Sequence, residues 1–207
     1  MTQYFKVHPD NPQQRLIDQA VAILRRGGVA AYPTDSCYAL GCLYSDKAAI
    51  NRIKQIRQLD EKHHLTLLCR DLTDIGSFAV LDNAAFRLIK SLTPGPYTFL
   101  LKASRDVPRR LQHPHRKTIG LRIPDNPVAL ALLETLGEPM LSTSLIMPGE
   151  EYPETDVGQI RARLGKQIDV IIDGGDGAPE QTSVVDLSSA VPGVVREGKG
   201  DISRFTG

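Results

Sequence analysis

Apolar and polar positions alternate along this chain in two rhythms. In PQQRLIDQAVAILRRGG, Leu16, Ala20, Ile23 and Leu24 recur on one helical face, and the glycines stop the helix. SDKAAINRIKQIRQLD repeats Ile50, Ile53 and Ile56 at the same spacing, with Ser45 as the expected N-cap. Helices are also predicted at 83–92, at NPVALALLETLG and at DVGQIRARLG. Between them lie short apolar runs of strand type: Val29 to Tyr32, Leu65 to Cys69, YTFLLKA after a tight turn, TIGLRIP, PMLSTS, IDVIIDGG, SVVDL and GVVREG. Residues 146–155 read as loop. The order predicts one α/β domain. Its last three strands follow without intervening helices, which points to a mixed sheet.

Length and composition agree with that reading. The 207 residues, 41% hydrophobic, suffice for one sizeable core and are short for two domains. Three cysteines without paired spacing argue against a disulfide framework. The N-terminus lacks the apolar stretch of a secretory signal, and no apolar run approaches the roughly 18 residues of a membrane helix. A cytoplasmic protein without membrane contact is expected. The net charge of +1 identifies no partner, but its distribution does more. Between 102 and 122 stand Lys102, Arg105, Arg109, Arg110, Arg116, Lys117 and Arg122 against Asp106, while compensating acids come later. Such segregation gives a near-neutral chain a basic face.

Several stretches carry candidate chemistry, each beside a plainer reading. Thr34, Asp35 and Ser36 in YPTDSCYALGC arrive where a strand must end. They either satisfy backbone donors at a turn or present hydroxyls to a ligand at the sheet's carboxyl edge. Lys54 and Arg57 share a helix face away from the isoleucines, as a solvated cationic face or a phosphate clamp. Thr118, Gly120 and Arg122 project to one side of a strand, leaving room for a ligand against the glycine or forming an exposed face. Ser142, Thr143 and Ser144, and again Thr182 and Ser183, interrupt strands with hydroxyls that cap turns or bind a ligand. DGGDGAP reads as a turn, because Asp173 and Asp176 would repel phosphate. The histidines lack metal-ligand spacing, Cys37 has no activating neighbour in sequence, and no nucleotide-binding glycine motif or nucleophile elbow appears. No covalent catalytic residue and no protein-held metal is expected.

Taken in order, YPTDSCYALGC, IKQIR, TPGPYTFLLK, TIGLRIPDNPVAL, PMLSTS, the DGG after IDVII, TSVVDL and VVREG resemble the YrdC/YciO-type family, the threonylcarbamoyl-adenylate synthase fold. The resemblance covers about residues 14–200 and is nearest the YciO branch. It implies an α/β domain around a twisted mixed sheet with a concave, positively charged cavity. The implied reaction joins L-threonine, bicarbonate and ATP, with Mg²⁺ on the nucleotide, into threonylcarbamoyl-AMP for transfer RNA modification. On the family pattern Thr34 and Arg122 hold threonine, and Thr182 or Ser183 lies between the ligands. Lys54, Arg57, Thr118, Ser144 and Arg196 hold ATP. The family also implies binding of double-stranded RNA or transfer RNA, to which the basic residues Lys102, Arg105, Arg109, Arg110, Arg116 and Lys117 are assigned. A non-catalytic RNA-binding protein is the alternative.

Three positions depart from the pattern. The usual K-x-R-P is Lys54-Gln55-Ile56-Arg57, a usual Pro-Leu is His64-Leu65, and the usual S-x-N is Ser144-Leu145-Ile146. Ile146 can neither donate to nor accept from a phosphate. Removing one hydrogen bond to a charged group costs roughly 1.5–3 kcal/mol.

Overall fold

A computed structural model describes residues 1–60, 63, 65–105 and 107–205. Among these, ten strands form a single sheet: β1 (Gln3–Lys6), β2 (Ala30–Tyr32), β3 (Ala39–Leu43), β4 (Thr66–Leu68), β5 (Tyr97–Lys102), β6 (Thr118–Arg122), β7 (Met140–Ser144), β8 (Val170–Asp173), β9 (Ser183–Asp186) and β10 (Gly193–Arg196). Their order is β1-β8-β2-β3-β7-β4-β6-β5-β9-β10. Parallel pairs (β1/β8, β2/β8, β4/β6, β5/β9) and antiparallel pairs (β2/β3, β3/β7, β4/β7, β5/β6, β9/β10) share it, so the sheet is mixed as expected. Six helices flank it: α1 (Gln14–Arg25), α2 (Lys47–Arg57), α3 (Leu72–Phe78), α4 (Asn83–Leu92), α5 (Pro127–Leu136) and α6 (Val157–Leu164).

Strand alternation sorts the core into two layers. Leu40, Leu67, Phe99, Leu121 and Leu141 point to one side and pack with the isoleucines of α2 and with Ile75, Ile89 and Ile160 from α3, α4 and α6. Tyr32, Ala39, Leu68 and Met140 point to the other and meet Ile17 and Leu24 of α1 and Val128 and Leu132 of α5. Trimming any such buried leucine or isoleucine to alanine costs about 2–5 kcal/mol.

The helix ends follow local rules. The N-cap of α2 is Asp46, accepting from the Ala49 amide at 2.9 Å, where the pattern predicted Ser45. A carboxylate beside the positive helix terminus outcompetes the hydroxyl one residue earlier. Helix α5 starts on an Asn126 cap with Pro127 in its first turn and ends on Gly137 at φ +78°.

Three elements went unpredicted. β1 reads QYFK and is largely exposed at the sheet edge, so it has little apolar signal. β3 follows the Tyr32–Cys37 stretch directly and makes that stretch the connection of an antiparallel pair. α3 is seven residues long with Gly76 inside it. No helix among the described residues is long and apolar enough to cross a membrane. Cys37, Cys42 and Cys69 are all buried free thiols.

Candidate active site

The sheet face that carries α1 and α5 at one end is left bare further along, and a cavity of about 450 Å³ opens there. The sequence makes this hollow by keeping side chains small. One row of paired positions crosses the sheet as Gly41, Ser142, Thr66, Gly120 and Leu100. A Cβ on Gly120 would stand 3.2 Å from the Thr66 hydroxyl and 3.4 Å from the Leu65 carbonyl, so the floor has no spare room. Ser142 is held by the Tyr32 hydroxyl at 2.6 Å, and Thr98 by Thr182 at 2.9 Å.

Three arginines reach this hollow from distant elements: Arg57 from the end of α2, Arg122 from β6 and Arg196 from β10. Arg196 is the most tightly tied. Its Nε and Nη2 donate to the Thr182 carbonyl at 3.1 and 2.9 Å, and Nη1 to Gln181 Oε1 at 2.6 Å. Burial lowers the pKa of Arg57 and Arg196 from the ordinary arginine value, and Arg122 adds repulsion at Arg196. Both stay charged near neutrality, because arginine starts so high. Arg57 Nε is buried with no partner among the described residues. A hollow into which three arginines converge favours a polyanionic ligand.

Arg122 differs from the other two. It forms an ion pair with Asp35, and both side chains are over nine-tenths buried. Thr34, one residue earlier, shows that turn chemistry and cavity lining coexist. Its hydroxyl donates to the Cys37 carbonyl at 2.7 Å and accepts from the Ser36 amide at 3.2 Å, yet it lines the hollow.

The cavity thus brings together Thr34, Arg57, Arg122, Ser144, Thr182 and Arg196 from the predicted set. Lys54, Thr118 and Ser183 are not among its lining. Lys54 is half-buried on α2, Thr118 is buried in β6, and the Ser183 hydroxyl donates to the Gly200 carbonyl at 2.5 Å. Thr66, Thr98 and Gln181 line the cavity without being among the sequence candidates, and His63, weighed only as a metal ligand, joins them. Thr66 and Thr98 were findable as hydroxyls breaking an apolar strand, as Ser142 and Thr143 were.

Cys37 lines the wall, and burial pushes its thiol up, with a Ser144 hydrogen bond and the Arg122 charge opposing only in part. A neutral thiol is a wall rather than a nucleophile. His63 sits at the rim, where partial enclosure and then the Arg57 charge lower its pKa, although its ring still reaches solvent. Ile146 also lines the cavity, so the departure from S-x-N falls at the site itself. His64, in another departure, lies outside the described residues.

The basic stretch forms a separate surface. Lys102, Arg105, Arg109, Arg110, Arg116 and Lys117 are all exposed and none lines the cavity. Arg116 pairs with Asp186 at 3.5 Å, and Arg110 donates to the Ser45 carbonyl at 3.2 Å.

A mixed sheet with a concave, arginine-lined hollow on one face defines a fold class shared with known proteins. The family model described as "Telomere recombination" (Sua5/YciO/YrdC) matches residues 22–198. The chain is 58% identical over 205 residues to "Uncharacterized protein YciO" of Escherichia coli K12, covering 99% of this chain and all of that one. It is 36% identical over 159 residues to a threonylcarbamoyl-AMP synthase of Nitrosococcus oceani, covering 76% of this chain and 85% of the relative. The E. coli YciO crystal structure superposes with a TM-score of 0.96 over 99% of this chain and 100% of that chain. P. abyssi Sua5 complexed with L-threonine superposes with a TM-score of 0.87 at 26% identity, over 95% of this chain but 58% of the longer Sua5 chain. The chain belongs to the Sua5/YciO/YrdC family.

Proposed function

We propose that the protein forms threonylcarbamoyl-AMP from L-threonine, bicarbonate and ATP, for transfer RNA modification. The observation that carries this reading is the cavity in which Arg57, Arg122 and Arg196 converge with the hydroxyls of Thr34, Ser144 and Thr182. The amino acid takes the Thr34–Arg122 side, its carboxylate on Arg122. The triphosphate takes the side of Arg57, Ser144 and Arg196, with Lys54 and Thr118 in support from α2 and β6. Thr182 lies between the two ligands and Ser183 anchors its strand.

The reaction suits such a site. A carbamate oxygen of N-carboxythreonine attacks the α-phosphorus, the bond to the β-phosphate oxygen breaks, and pyrophosphate leaves. Nothing in that sequence needs a protein nucleophile. It needs two anions held together against their repulsion, and cations facing the phosphoryl oxygens. Mg²⁺ travels on the nucleotide; among the described residues no cluster of three or more His, Cys, Asp or Glu is placed to hold a metal ion.

The test incubates pure protein with ATP, threonine, bicarbonate and Mg²⁺ and follows pyrophosphate and the adenylate. Turnover that needs all three substrates is expected. No product above blank, while a threonylcarbamoyl-AMP synthase turns over under the same conditions, would remove the reading.

The exposed basic stretch favours a second activity, binding of double-stranded RNA or transfer RNA through phosphates. Its signature is affinity that falls steeply with salt and varies little with sequence. No binding even at low salt removes it.

A further inference from the structure

Arg122 does not stand alone in the wall of the cavity. The loop between β2 and β3 folds over the sheet face and sets Asp35 against it, 87 positions away in sequence. Asp35 is not among the lining side chains, whereas Arg122 is. The carboxylate therefore stands behind the guanidinium, not beside a ligand. From a third direction, Lys199 donates from its ammonium to the Asp35 backbone carbonyl at 2.6 Å, across 164 positions. The segment carrying Lys199 is itself fixed: its amide donates to the Gln181 carbonyl at 2.9 Å, and Gly198 N donates to Ser183 Oγ at 3.0 Å. Lys199 lies just beyond the end of the family match at residue 198.

The bonding pattern of the pair is specific. Nη2 of Arg122 meets Oδ1 of Asp35, while Arg122 Nε and Asp35 Oδ2 are both buried with no hydrogen-bond partner among the described residues. The pair is therefore joined by one charge-assisted bond, and each group keeps one buried polar atom uncommitted. A buried arginine needs such a counter-charge to remain in place, and its planar fork then has one fixed plane. With Nη2 committed to Asp35 and Nε buried, Nη1 is the Arg122 nitrogen left to face a ligand.

We infer that Asp35, held by Lys199, is the positioning residue that orients Arg122 toward a ligand carboxylate in the cavity. The inference rests on the proposed amino-acid site for what Arg122 receives, but not for how Arg122 is held. Asp35 touches no substrate. It sets the plane of the guanidinium, and it offsets the Arg122 charge so that the amino-acid side of the cavity is less cationic than the Arg57–Arg196 side. That difference directs a singly charged carboxylate to one end and a polyphosphate to the other.

The test has two arms on the full chain. In the first, arginine side chains are followed by ¹⁵N NMR without ligand, Arg122 being assigned by its loss in R122K. Resolved Nη signals and a protected Nε proton are expected in the wild type. D35N is expected to merge the Nη signals and speed Nε exchange at least tenfold, and K199M to speed it two- to threefold. Unchanged Arg122 signals in D35N overturn the proposal. Where D35N does not fold, K199M decides alone, because it leaves the buried pair intact. In the second arm, calorimetry compares L-threonine with L-threoninamide, which lacks the carboxylate. The wild type is expected to prefer threonine at least tenfold, and D35N less than threefold, with ATP affinity within twofold of wild type. Equal weakening of threonine, its amide and ATP in D35N marks a general structural role and overturns the proposal. A wild type that binds no threonine overturns the amino-acid reading, while the NMR arm still decides whether Asp35 holds Arg122.

Discussion

Two groups of cations occupy this molecule, and they are built on opposite principles. Arg57, Arg122 and Arg196 stand in a hollow, desolvated, and two of them are fixed by Asp35, Thr182 and Gln181. Lys102, Arg105, Arg109, Arg110, Arg116 and Lys117 stand in water along one stretch of chain. Desolvated, oriented charges recognise the shape of an anion, since their dielectric surroundings are low and their geometry is set beforehand. Solvated ones recognise the density of negative charge and surrender the interaction to salt. One net charge of +1 conceals both.

The contrast breaks most readily at Arg122. R122A is expected to abolish measurable threonine binding, a loss of at least a hundredfold by calorimetry. It also leaves the Asp35 carboxylate buried alone, so chemical denaturation should show a stability loss on the order of 3 kcal/mol. Retained threonine affinity would place the amino acid elsewhere. Next comes I146N, which places an amide on the proposed phosphate side of the cavity. It is expected to raise adenylate formation about tenfold to hundredfold, in line with the roughly 1.5–3 kcal/mol of a hydrogen bond to a charged group. A rate that stays flat would mean that Ile146 faces no phosphate. R109A with R110A should lower RNA affinity several-fold at low salt and reduce the salt slope by about two, leaving threonine and ATP affinity untouched. An unchanged slope would exclude that surface.

The smallest effect concerns His63. Its pKa lies below the ordinary value of about 6.5, by partial enclosure and the Arg57 charge. It is thus neutral in the free protein through a pH range where an unfolded histidine already carries a proton. That contribution to stability is present above the unfolded value and is lost as pH falls. An anion seated beside Arg57 reverses the bias, so ATP binding should take up a fraction of a proton near pH 6.5. Calorimetry in buffers of different ionisation heat reads that uptake, and H63Q should remove part of it. Equal uptake in H63Q would assign all the linkage to the nucleotide.

The strand and helix pattern was readable because burial writes itself into a period of two or of three to four. Leu67, Phe99 and Leu121 against Thr66, Thr98 and Gly120 already separate a packed face from a sparse one. The grouping of Thr118, Gly120 and Arg122 on one side of β6 was likewise legible, although Thr118 is buried outside the cavity lining. What periodicity cannot express is the meeting of distant segments. Nothing local marks Asp35 as the partner of Arg122, or Lys199 as the support of Asp35. Each reads alone as a turn carboxylate or a tail lysine. Cavity walls such as His63 and Gln181 are invisible for the same reason: they belong to loops placed by strands far from them. Edge strand β1 escaped because half-exposed residues owe the core no pattern.

The row Ser142–Thr66–Gly120 bears on how the hollow can be reshaped. The floor of the hollow is kept low by small residues on β7, β4 and β6, while Arg57 and Arg196 enter from α2 and β10. Depth and most of the charge thus come from different elements, with β6 alone supplying both. A methyl group added at Ser142 is expected to make the hollow shallower while leaving Arg57 and Arg196 in place.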